Sequence, residues 1–269
     1  MNAETAVNAA TLLERDEPPP VETINTDGKS SAVLVCDHAS NRVPERLGTL
    51  GLEPDQLADH IGWDPGAADV ARRLAAQLDA PLVLSSYSRL VIDCNRPLDH
   101  AESIVERSAG VSIPGNLGLS PLERSIRIDA LFRPYHDAID GLLDLRSHRP
   151  TLLISIHSFT SVLKGQLRPW HVGISHWRDP RLAALLLGAL RCTGDFTIGD
   201  NEPYPIENNI DYTIPLHGEG RGLPSVMIEI RQDLLRTSAG ATAWAGRLAA
   251  ACRHIESELT RLFGVSFHA

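Results

Sequence analysis

The strongest constraint on this chain is a repeated pattern in which short apolar runs stop abruptly in polar residues and are separated by segments of helical period. Ala32-Val33-Leu34-Val35-Cys36 ends in Asp37-His38-Ala39-Ser40-Asn41, Leu90-Val91-Ile92 ends in Asp93 to Arg96, and Leu152-Leu153-Ile154-Ser155-Ile156 delivers His157 and Ser158. Ser225 to Ile230 is a further run and carries Glu229. Uninterrupted apolar runs of this length read as strands covered on both faces. Pro81 to Leu84 and Val172 to Ile174 read the same way. Between them, Gly66 to Leu78 repeats Val70, Leu74 and Leu78 at helical spacing. Pro121 to Arg146 reads as one long amphipathic helix with Pro134 as its kink point, Pro180 to Arg191 as a second, and Ala239 to Leu262 as a closing helix. Gly199 to Gly222 reads as loop. This alternation predicts one α/β domain over residues 31–269, with a mixed, mostly parallel sheet flanked by helices. Residues 1–30 lack periodicity, contain Pro18-Pro19-Pro20, and are expected to be a flexible leader.

Charge and cysteine placement exclude several functions. The net charge is −9, and the leader with six acids and two bases supplies −4 of it, which leaves about −5 on the body. The arginines are scattered rather than gathered in a stripe, so nucleic acid is not an expected partner. Only Lys29 and Lys164 are lysines; every other base is an arginine able to grip a carboxylate with two parallel hydrogen bonds. The four cysteines are far apart and form no CxxC pair, which fits a reducing compartment and excludes a cysteine zinc ribbon. The longest apolar stretch, Leu182 to Leu190, is about half of what a membrane span needs. The N-terminus carries acids and no apolar signal segment, so the expectation is a cytoplasmic protein without a membrane partner.

The polar residues at the strand ends are those of a mononuclear hydrolytic zinc site. Two imidazoles and one carboxylate hold such a metal with a position open for water, and a separate carboxylate takes the water's proton. His38, His157 and Glu229 supply the residue types.

The strings Cys36-Asp37-His38-Ala39-Ser40-Asn41, Ser88-Arg89-Leu90-Val91-Ile92-Asp93-Cys94-Asn95-Arg96-Pro97, Gly199-Asp200-Asn201-Glu202-Pro203-Tyr204 and Ile228-Glu229-Ile230-Arg231-Gln232-Asp233, in this order, resemble the N-formylglutamate amidohydrolase family. Ser155-Ile156-His157-Ser158-Phe159, Asn95-Arg96 and Glu229 are more distantly similar to segments of zinc carboxypeptidases. The resemblance implies a phosphorylase/hydrolase-like fold of the zinc carboxypeptidase type and one Zn2+ per chain. It further implies cleavage of an N-acyl amino acid, N-formyl-L-glutamate above all. One departure stands out: the carboxypeptidase pattern is His-x-x-Glu, whereas Asn41 follows His38 here. A neutral amide is a weak zinc ligand, so the carboxylate must come from elsewhere; the resemblance implies Asp64 in His60-Ile61-Gly62-Trp63-Asp64, which matches an acidic position the amidohydrolase family carries before its first helix, with Asp37 as runner-up. The competing reading of Asp64 is a helix cap before Pro65, and that of Glu229 a salt bridge to an arginine.

By the same resemblance Glu229 is the general base, Asn95 and Arg96 hold the substrate's α-carboxylate, and Arg89 meets its side chain or the oxyanion. Asn41, Tyr212 and His217 are further expected substrate contacts, and His60 a support for Asp64. His136, His148, His254 and His268 have no constellation around them. A protein of this fold that cleaves another N-acyl amino acid or a peptide, or that binds an acidic metabolite without turnover, remains open at this stage. The oligomeric state is not expressed in the sequence.

Overall fold

A computed structural model of the chain describes residues 12–192, 196–256 and 258. Its centre is a seven-stranded sheet of β1 (Val21–Ile24), β2 (Ala32–Cys36), β3 (Leu82–Ser85), β4 (Leu152–Phe159), β5 (Val172–Ser175), β6 (Ile198–Asp200) and β7 (Ser225–Arg231). The spatial order is β1-β3-β2-β4-β7-β5-β6. The four central strands β3, β2, β4 and β7 run parallel, β1 lies antiparallel on β3, and the β5–β6 pair runs antiparallel to β7. The sheet is therefore mixed and mostly parallel, as its buried, nearly continuous apolar runs require.

Helices α1 (Ala67–Leu78), α2 (Pro121–Arg127), α3 (Arg133–Leu145), α4 (Arg181–Arg191) and α5 (Ser238–Glu256) cover the two faces. Strand alternation decides which residues meet which layer. Leu34, Ile154, Ile156, Ile228 and Ile230 pack with α1, α4 and α5 in one core, and Val33, Val35, Leu153 and Met227 pack with Tyr135, Ile139 and Leu143 of α3 in another. Among the described residues, no helix is long and apolar enough to cross a membrane.

Four expectations are corrected. The boundary near Ser30 falls inside the folded body, because Val21–Ile24 pairs with β3 in register Val21 to Ser85 through Ile24 to Leu82. Leu12 is buried, and the Tyr87 hydroxyl donates to the Pro18 carbonyl. The pairing supplies the order that this segment's composition alone does not; residues 1–11 lie outside the described residues. Leu90-Val91-Ile92 is a turn, not a strand, because its carbonyls are taken by side chains: Asn116 Nδ2 donates to Leu90 O at 2.8 Å and Arg127 Nη1 to Val91 O at 3.0 Å. The helix from Pro121 is interrupted by a π-helical turn, Ile128–Phe132, ahead of Pro134. Pro134 lacks an N–H, and its ring would crowd the carbonyl four residues back, so the wider turn takes up the register. The closing helix is described as far as Glu256, and the expected stretch from there to Leu262 lies outside the described residues except for Glu258. Within the expected loop 199–222, Gly199 and Asp200 belong to the edge strand β6, and Ile214–Gly218 forms a π turn.

Candidate active site

The carboxyl ends of β2, β4 and β7 bring the polar strand-end residues to one place, as parallel sheets do. Glu229 and His157 are register partners on adjacent strands, so both side chains leave the sheet on the α3 side. His38 follows β2, and Asp64 stands just before α1. The Asp64 carboxylate caps no helix: α1 begins after Gly66, whose left-handed backbone (φ 84°) turns the chain and whose missing Cβ leaves room for Leu235. Asp64 turns inward instead, with its backbone N–H bound to the His38 carbonyl at 3.0 Å.

His38, Asp64 and His157 form the core of the site. One ligand atom from each lies within 4.8 Å of the others, and the three residues are 2, 4 and 2 % exposed. Both imidazoles face Asp64 Oδ2 with Nδ1, at 3.4 Å for His38 and 2.8 Å for His157. Both use Nε2 toward a second buried carboxylate, His38 to Asp93 Oδ1 at 2.7 Å and His157 to Asp37 Oδ2 at 2.8 Å. A carboxylate behind the ring is the usual device for orienting a metal-binding histidine, since Nε2–H donation leaves the Nδ1 lone pair free. Two such lone pairs beside one carboxylate oxygen repel unless a proton or a cation lies among them. The charge balance points the same way: Asp37, Asp64, Asp93 and Glu229 are all buried, and among the described residues Arg89 is the one arginine at ion-pair distance from any of them. The donor set therefore fits a divalent metal with two nitrogens and one oxygen. Burial alone would push the His157 imidazole down, but its bonds to Asp37 and Asp64 hold it well above its ordinary value, the same demand for positive charge met by a proton.

Glu229 is the exception in this network. It is 5 % exposed, and its Oε2 is buried without a hydrogen-bond partner. Burial raises its carboxyl to about 7, against the opposing pull of His157. The salt-bridge reading is not met, because Arg231 pairs with Asp233 at 2.8 Å. A cavity of about 280 Å³ opens over Glu229 and the cluster, with Arg89, Asn95, Arg96 and Tyr204 in its wall. Asn95 Oδ1 accepts the Tyr212 and Thr213 backbone N–H groups, both at 3.0 Å, and its Nδ2 donates to Asp211 at 3.2 Å. Arg96 spends Nη1 on the Asn95 and Ile210 carbonyls and on Asp211, and its buried Nε has no hydrogen-bond partner. Arg89 binds Asp93 through Nε and Nη2 and directs Nη1 toward Asp64 at 3.5 Å.

The structure thus brings His38, Asp64, His157, Glu229, Arg89, Asn95 and Arg96 together, and it separates three other expected contacts from them. Asn41 is half-buried outside the cavity wall. Tyr212 packs its ring on Phe132 and His136 and serves the site only through its backbone. His217 is fully buried, bound to His136 at 2.8 Å and to Asp140 at 3.0 Å, which also gives His136 the constellation it was not expected to have. Asp37, the runner-up ligand, is committed to His157, Ser155, Thr213 and Tyr135 behind the site. His60 binds its neighbour Asp59 rather than Asp64. Sequence reasoning missed the support role of Asp93, whose place directly after an apolar run was the available signal. It also missed Arg168, whose guanidinium stacks 4.7 Å over the Tyr204 ring and for which nothing local gives a signal.

Known proteins resemble the chain in sequence and in fold. The chain is similar to the N-formylglutamate deformylase of Pseudomonas putida, 29 % identical over 181 residues that cover 60 % of this chain and 66 % of that protein, just short of two thirds of its length. The crystal structure of gene product Atu2144 from Agrobacterium tumefaciens superposes with a TM-score of 0.89 at 38 % identity, covering 92 % of this chain and 99 % of that one. The N-formylglutamate amidohydrolase from Ralstonia eutropha JMP134 shares the fold at 17 % identity and a TM-score of 0.67, over 91 % of this chain and 99 % of that one. The model of the N-formylglutamate amidohydrolase family matches residues 30–236, from just before β2 to just past β7, and with that span containing every residue of the cluster the chain belongs to this family.

Proposed function

We propose that the chain hydrolyses the amide bond of an N-acyl amino acid, with N-formyl-L-glutamate the favoured substrate and Zn2+ the favoured metal, held by His38, Asp64 and His157. The observation that carries this reading is the buried, unpartnered Oε2 of Glu229 beside two imidazoles and a carboxylate that converge on one point. A bound divalent cation there supplies Lewis acidity to the amide carbonyl and lowers the pKa of water to about 7. Glu229, with a carboxyl raised by burial to about 7, takes the proton of the attacking water. As the C–N bond breaks, it returns that proton to the leaving amine, so that one water yields a carboxylic acid and a free amino acid. Arg96 Nε and the spare Asn95 Nδ2 hydrogen hold the α-carboxylate, and Arg89 Nη1 faces the charge that develops on the carbonyl oxygen.

The test is release of glutamate from N-formyl-L-glutamate by zinc-loaded protein, with metal content measured in parallel. The Glu229→Gln variant is expected to retain its zinc and lose about 10²–10⁴ in kcat, the usual contribution of a general base. A chain that takes up no metal, or a Glu229→Gln variant with full turnover, overturns the mechanism.

A further inference from the structure

The candidate cavity shares part of its wall with a second one. His60, Arg89 and Tyr204 line both it and this second cavity of about 310 Å³. Two small hairpins, Arg107–Ser108 with Val111–Ser112 and Val162–Leu163 with Gln166–Leu167, bring their ends to this second cavity. Each turns through two residues of positive φ, Ala109 and Gly110 at 48° and 87° and Lys164 and Gly165 at 50° and 78°. Such tight turns favour Asn or Gly at the first position, and a lysine there works against the backbone. Lys164 is the only lysine between β2 and the end of the chain.

The charges around this second cavity are unequal in their commitments. Asp93 is engaged by Arg89, His38 and the Asn95 backbone N–H, and Glu102 faces Arg96 at 3.8 Å. Arg107 donates to the Gly110 carbonyl at 2.8 Å. Among the described residues, neither Arg107 nor Lys164 has a carboxylate at ion-pair distance. Two exposed cations without counter-ions among the described residues thus flank a cavity that shares His60, Arg89 and Tyr204 with the candidate site.

We propose that this second cavity receives the distal end of the substrate's acyl group, and that Arg107 and Lys164 select acyl chains that end in a carboxylate. The substrate class is then an N-acyl amino acid whose acyl part is a short dicarboxylic residue such as glutaryl, for which a formyl group fills only the inner half of the site. The inference rests on the reading that the cluster cleaves an N-acyl bond.

The experiment measures calorimetric binding of N-acetyl- and N-glutaryl-L-glutamate to zinc-loaded Glu229→Gln protein, alone and combined with Arg107→Ala or Lys164→Asn. Asparagine accepts the left-handed turn, so this second variant keeps the hairpin. N-glutaryl-L-glutamate is expected to bind about 10-fold tighter than the N-acetyl compound, from one charge-assisted contact in a partly screened site. The preference should fall toward unity in either cation variant and return in Lys164→Arg. Equal binding of the two compounds, or a preference that survives both substitutions, overturns the inference. Failure of the wild type to release glutamate from N-formyl-L-glutamate overturns the functional reading instead, and the binding ratio still decides the second cavity.

Discussion

At the residue scale, each imidazole of the cluster rests on a second buried carboxylate, Asp93 behind His38 and Asp37 behind His157. Asp93 and Asp37 each contact one imidazole at Nε2, so replacing either by asparagine is expected to weaken the orientation and basicity of Nδ1 in the proposed metal site without changing His38, Asp64 or His157 themselves. Asp93→Asn is expected to lower zinc affinity by about 10–100-fold, measured by competition with a chelator of known affinity. An unchanged affinity would show that the Asp93 contact serves Arg89 alone. His38, His157 and Glu229 were legible in the sequence because a polar side chain at the end of an apolar run has few other reasons to be there. Asp64 was legible as a carboxylate just ahead of a helix. Asp37 sits beside His38 and Asp93 follows a turn, and their contacts with the imidazoles appear only when β4 and the 89–96 segment fold against His38. Arg168 shows the limit most plainly, because its partners Phe159 and Tyr204 lie 9 and 36 residues away along the chain.

At the element scale, the segment from Arg89 to Arg96 is the least regular part of the site, yet it carries Arg89, Asp93, Asn95 and Arg96. Side chains hold it in place of a strand ladder. Asn116 donates to Leu90 O at 2.8 Å and to Val105 O at 2.7 Å, while Arg127 bridges Val91 O, Gly115 O and Asn116 Oδ1. Asn116→Ala leaves two carbonyls without donors, and each such buried group costs about 1–3 kcal/mol. The expected result is a lower urea midpoint with an unchanged denaturant slope, together with a raised KM, since Asn95 and Arg96 are displaced with the segment. This is also why the strand expected at Leu90–Ile92 is absent: its apolarity reports burial, which a pinned turn satisfies as well as a ladder does. The expected helix around Pro134 has a comparable explanation: its period and its kink point were legible, whereas the π turn by which the backbone takes up the register is not specified by composition.

At the scale of the whole molecule, pH is expected to act on stability through the buried pair His136 and His217. Burial pushes His136 down to about 3 and lowers His217 as well. A histidine whose folded pKa lies below its unfolded value of about 6.5 contributes fully above that pH, because only the unfolded chain takes up the proton as the pH falls. The contribution is lost between about 6.5 and 3, and for His136 it amounts to roughly 2 kcal/mol by pH 5. Urea unfolding of the zinc-loaded protein at pH 7 and pH 5 should therefore show a steeper loss for the wild type than for His136→Phe. Equal slopes would remove His136 from the account.

The antiparallel strand Val21–Ile24 has a consequence for handling and solubility. β1 occupies the outer edge of β3, where Leu82, Val83 and Leu84 are all buried, and Arg72 fastens it through a two-pronged pairing with Glu22. Without it, β3 would present a row of unpaired backbone groups in an apolar strand, a template for another chain. A version trimmed at residue 30 is expected to elute as higher-order species in size-exclusion chromatography at concentrations where the full chain does not. A trimmed chain that elutes in the same position as the full one would show that this edge needs no guard.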